Sequence, residues 1–87
     1  MIIFTVLTQG DNPKLEVALN QHFANEHLKV GPGQYLVAGR STVIDLSNTL
    51  GITTGENGSG IIFSTSAYYG RASNSIWDWV KVKLGTP

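Results

Sequence analysis

The sequence predicts an α+β domain in which helices pack on a mostly antiparallel sheet. Three observations point there: short apolar runs rich in β-branched and aromatic residues, helical stretches with one apolar face alternating with them, and turn formers at the junctions. A chain of 87 residues has room for one hydrophobic core, so residues 1–87 are read as a single domain.

Residues 2–8 form an apolar, β-rich run that stops at the turn formers Gln9, Gly10, Asp11, Asn12 and Pro13, which predicts a buried strand. Pro13 suits the first position of a helix capped by Asn12. Leu15, Ala18, Leu19, His22 and Phe23 recur with the spacing of one helix face, so a helix is expected over residues 13–24. Residues 27–30 alternate weakly before Gly31-Pro32-Gly33, a hairpin turn or kink, and β character resumes in Gln34-Tyr35-Leu36-Val37-Ala38. Thr42 then caps a second helix, with Asp45 completing a capping box, Val43, Leu46 and Leu50 as its apolar stripe and Gly51 as its stop. Residues 52–60 are dense in Thr, Gly, Asn and Ser and predict a mobile loop. A strand follows over residues 61–69. The last segment, residues 76–84, is ambiguous: Ile76, Trp77, Val80 and Leu84 fit a helix, whereas residues 79–84 alternate as a strand would. A cap at Asn74 or Ser75 and a stop at Gly85 and Pro87 favour the helix.

The order β-α-β-β-α-β-α matches a ferredoxin-like split βαβ sandwich, with helices on one face of the sheet and an extra C-terminal helix. The second sheet face then needs a cover, which a homodimer or a protein partner would supply. A domain of this size buries only about 60–65% of its unfolded surface, which adds to the case for a partner copy.

Composition narrows the function. Charged residues make up 14% of the chain against a typical share of about 25%, so little of its surface is solubilised by charge. Six Lys and Arg balance six Asp and Glu, leaving no net field to attract nucleic acid, whose binding the charge does not support. The absence of Cys excludes disulfides, thiolate chemistry and cysteine-bound zinc, and it favours a cytoplasmic setting. The N-terminus does not read as a signal peptide, and no apolar run approaches the roughly 18 residues of a membrane span.

Two segments echo one another. Gly39-Arg40-Ser41-Thr42 and Gly70-Arg71-Ala72-Ser73 each run from a strand into a helix start. Gly permits the sharp turn and Arg precedes the positive end of a helix, so Gly39, Arg40, Ser41, Thr42, Gly70, Arg71 and Ser73 are candidate contacts for a nucleotide or another anion. The plainer reading is that both are ordinary turns with solvated arginines. The Gly-rich residues 51–60 lack the Lys-Ser/Thr ending of a phosphate loop and lead into a strand. His22 and His27 are five residues apart, unsuited to a metal pair on one helix face; His22 falls on the apolar stripe and is read as packed. The acidic residues are scattered, Asp45 and Asp78 sit where helix first turns use them, and Ser64, Ser66, Ser73 and Ser75 have no elbow or paired base. The chain therefore leans away from catalysis, and no cofactor or metal is expected. Tyr68, Tyr69, Trp77 and Trp79 concentrate aromatic surface near the C-terminus and are candidate interface residues; on a helix the two tryptophans diverge, so one is expected to look outward.

The run of residues 2–8, the segment of residues 34–39 with the short helix after it, and the run of residues 61–68 resemble small ferredoxin-like proteins of the CRISPR-adaptation and VapD type. The resemblance implies homodimers and, in some members, metal-dependent cleavage of RNA or DNA through an Asp at the end of the first strand. Here that place holds Leu7-Thr8-Gln9, with Asp11 beyond it in the turn. The expectation is a non-catalytic binding or regulatory module acting as a homodimer or on a protein partner. The alternatives are a domain that binds a phosphate-bearing small ligand and the nuclease of the resemblance.

Overall fold

A computed structural model describes residues 1–85. Its elements are β1 (Ile2–Thr8), α1 (Pro13–His22), β2 (His27–Gly31), β3 (Gln34–Gly39), α2 (Val43–Thr49), β4 (Gly60–Thr65) and α3 (Asn74–Leu84). β1 pairs antiparallel on both sides, with Phe4 opposite Val37 of β3 and opposite Ser64 of β4. β2 adds antiparallel to the outer side of β3, so the sheet order is β2-β3-β1-β4. The architecture is a small α+β fold: a four-stranded antiparallel sheet and, among the described residues, three helices.

The two-residue period of the strands sorts their side chains onto two faces. On the inner face Phe4, Val6, Tyr35, Val37 and Ile62 meet Leu15, Ala18 and Leu19 of α1 and Leu46 and Leu50 of α2. Caps start both helices as expected: Asn12 Oδ1 accepts from the Leu15 amide at 3.2 Å and Thr42 Oγ1 from the Asp45 amide at 3.1 Å. α1 ends at His22, two residues before the expected end, because Phe23 leaves the helix as its C-cap and packs against the core. His22 is accordingly exposed rather than packed. The His27 Nδ1–H donates to the Phe23 carbonyl at 2.6 Å and holds the reversal into β2.

The loop after α2, expected to be mobile, is tied at several points. The Asn57 side chain donates to the Leu50 carbonyl at 2.7 Å, its amide donates to the Gly51 carbonyl at 3.0 Å, and Asn12 Nδ2 donates to the Asn57 carbonyl at 2.6 Å. Asn12 thus caps α1 and fastens this loop at once, and Ile52 enters the core. β4 stops at Thr65, short of residue 69, and Tyr68 and Tyr69 lie on the link to α3. The ambiguous last segment is a helix that starts at Asn74, with Ser73 as its N-cap. Of the expected stop, Gly85 is the C-cap, whereas Pro87 lies outside the described residues.

The expectation of a bare second sheet face needs revision, because α3 lies on it. Ile3 and Ala38, which point away from α1 and α2, are only 3% and 1% exposed. Lys83 near the end of α3 stands 3.2 Å from Glu26 Oε2, just ahead of β2. That oxygen is shut off from water and the lysine is out of line for a hydrogen bond, so the contact is one of charge alone. The cover is partial. At the β4 side of the same face Leu7, Ile61 and Phe63 remain 37%, 53% and 50% exposed. No helix among the described residues is long and apolar enough to cross a membrane.

Candidate functional site

Between α3 and the outer sheet face lies a groove of about 290 Å³. Its floor comes from three strands: Ile3 and Thr5 of β1, Leu36 of β3 and Thr65 of β4. One wall is the face of α3 that carries Ile76, Trp77, Val80 and Leu84, and the link from β4 to α3 supplies the lip, including Tyr68, Gly70 and Arg71. The Tyr68 and Trp77 rings meet with centroids 5.9 Å apart and planes inclined by 42°, which joins lip to wall. In the floor Thr5 Oγ1 and Thr65 Oγ1 lie 3.1 Å apart and bond to each other.

The structure separates the two halves of the anion motif. β3 and β4 both run antiparallel to β1, so both Gly-Arg turns leave the same end of the sheet. Their helices then diverge, α2 to the inner face and α3 to the outer. Gly70 and Arg71 line the groove; Gly39, Arg40, Ser41 and Thr42 do not. Arg40 is exposed, and the Thr42 hydroxyl is taken by its own helix. Ser73 makes no side-chain cap to α3, its Oγ lying instead 3.0 Å from Ser75 Oγ. Among the expected interface aromatics, Tyr68 and Trp77 line the groove, as does the rim residue Tyr69, whose side chain is fully exposed. Trp79 lies outside the groove lining, yet it is half-buried like Trp77, so neither tryptophan points freely outward. The floor residues Ile3, Thr5 and Leu36 were missed as site residues; alternation along β1 and β3 puts them on one face, but what covers that face is not a local property.

A second polar constellation sits at the β2 side. Lys29 Nζ is 2.8 Å from Asp11 Oδ1 and 3.2 Å from Glu16 Oε2, and the Tyr35 hydroxyl donates to the same Glu16 oxygen at 2.9 Å. The acidic residue nearest the end of the first strand, Asp11, thus holds a lysine. Among the described residues no three His, Cys, Asp or Glu side chains come together to hold a metal ion.

Burial, and then the bond to Glu16, raise the Tyr35 phenol above its ordinary 10.0; hydrogen bonds to Asp11 and Glu16 raise Lys29 above its ordinary 10.5. Both groups hold their protons more tightly folded than unfolded. Their contribution to stability is therefore complete below about pH 10 and is lost as pH rises through the raised values. Urea unfolding between pH 9 and 12 is expected to show stability falling with pH, and Tyr35→Phe is expected to flatten that fall while leaving the Lys29 part in place.

Compared with family models, curated proteins and solved structures, the chain returns no match.

Proposed function

We propose that this protein is a non-catalytic binding module on the ferredoxin-like split βαβ plan, and that it works as a homodimer joined along β4. The plan is supported by the strand order β2-β3-β1-β4, in which β1-α1-β2 and β3-α2-β4 each skip one strand.

The observation that carries the dimer is the difference between the two sheet edges. β2 has the charged Lys29, a break in register between Lys29 and Gly31, and Pro32 directly after it, all devices that discourage further pairing. β4 reads Gly60-Ile61-Ile62-Phe63-Ser64-Thr65, with no charge, no proline and an unbroken register to β1. Ile61 and Phe63 stand half-exposed on its outer face beside Leu7. A second copy related by a two-fold axis pairs β4 with β4, extends the sheet and sets Ile61 and Phe63 against their counterparts.

Size-exclusion chromatography with light scattering tests this reading. The native chain is expected to elute as a dimer, and Phe63→Lys as a folded monomer with an unchanged circular dichroism spectrum. Losing one buried Phe from each copy weakens association by at least about a hundredfold. A native chain that stays monomeric at high concentration rejects the dimer.

A further inference from the structure

The groove under α3 is apolar along its length and charged at one end. From Ile76 to Leu84 its helical wall runs about 12 Å, the reach of a medium-length alkyl chain. Ile3, Leu36, Ile76, Val80 and Leu84 supply aliphatic surface, and the bond between Thr5 and Thr65 takes up one of their two hydroxyl protons, so the floor is mainly apolar. Among the described residues Arg71 is the only charged one in the lining, and it makes no ion pair or hydrogen bond with the others. Three residues on, α3 begins without a side-chain cap, so its first amides add to the attraction for an anion at that end.

We propose that this groove binds a medium-chain aliphatic carboxylate, with the alkyl tail lying along α3 and the carboxylate meeting Arg71. The site has the chemistry of an amphiphile: one charge-assisted contact at the mouth and hydrophobic burial behind it. A nucleotide fits it poorly. The volume is at the small end for ligand pockets, at about 300 Å³, and there are few polar groups to meet a base and sugar. Because Arg71 and Ala72 lie on the link before α3 and not on β4, substitutions there test this binding separately from pairing along β4.

Isothermal titration of the native chain with decanoate, below its micelle concentration, tests the assignment. Saturable binding of one decanoate per chain is expected, with decyltrimethylammonium weaker by about tenfold or more. Arg71→Gln is expected to cost decanoate about tenfold and to erase the preference for the anion. Ala72→Trp, which adds bulk at an exposed position of the lining, is expected to abolish binding while leaving the melting temperature unchanged. Equal affinity for the two head groups, an unaltered Arg71→Gln, or no saturable binding each overturns the proposal. So does binding of adenosine monophosphate in place of decanoate, which would assign the groove to phosphate compounds.

Discussion

Phe4→Ala is expected to lower the thermal unfolding midpoint by on the order of 20 °C, from a loss of about 3–5 kcal/mol spread over a domain of this size. Phe4 is 1% exposed in the middle of β1, the strand that pairs on both sides, and its ring belongs to the core cluster with Leu19, Val37 and Leu46. Truncation removes the ring from a place the backbone cannot close, because β1 is held by β3 on one side and β4 on the other. The same substitution at Phe63, half-exposed on the opposite face, is expected to cost less than about 1 kcal/mol in the monomer. Melting followed by circular dichroism measures both. A Phe4→Ala midpoint within a few degrees of the native value would show that the core does not lie where these contacts put it.

Gly33→Ala is expected to be the most damaging single-methyl change, at about 3 kcal/mol or more. Gly33 has φ of +70°, and a Cβ there would lie 2.5 Å from the Gly10 carbonyl oxygen, 2.6 Å from that of Thr8 and 2.9 Å from the Gly10 nitrogen. These are backbone atoms, so no side chain can swing aside. The Thr8 amide donates to the Gly33 carbonyl at 2.7 Å, which packs the β2–β3 turn directly onto the turn after β1. Gly10→Ala provides the comparison. Its φ is +75°, yet a Cβ there would meet nothing within 4 Å, so only the left-handed backbone cost of about 1–2 kcal/mol applies. Urea denaturation of the two variants separates strain from collision, and equal losses would contradict the docking of the two turns.

What could be read from the sequence was local. The strand over residues 2–8, the caps Asn12 and Thr42 and the apolar stripe Leu15, Ala18 and Leu19 depend on neighbours a few positions away, and all four recur in the structure. The errors at β4 and at His22 share a cause. Tyr68 and Tyr69 have strand propensity, but the pairing ladder with β1 ends at Thr65, opposite Ile3 near the start of β1. His22 has the right helical spacing, but Phe23 takes its place against the core.

The candidate site divides in the same way. Arg71 was legible as a residue beside a helix start, and so was Arg40; nothing in their spacing distinguishes them. The tertiary structure does, by sending α2 to the inner face and α3 to the outer, so that of two exposed arginines only Arg71 borders the apolar groove. The sequence by itself determined the alternation of elements, their caps and which side chains share a face, because those follow from dihedral preference and period. Only the tertiary structure decided what covers each face, because burial depends on which distant segments compete for the same apolar surface.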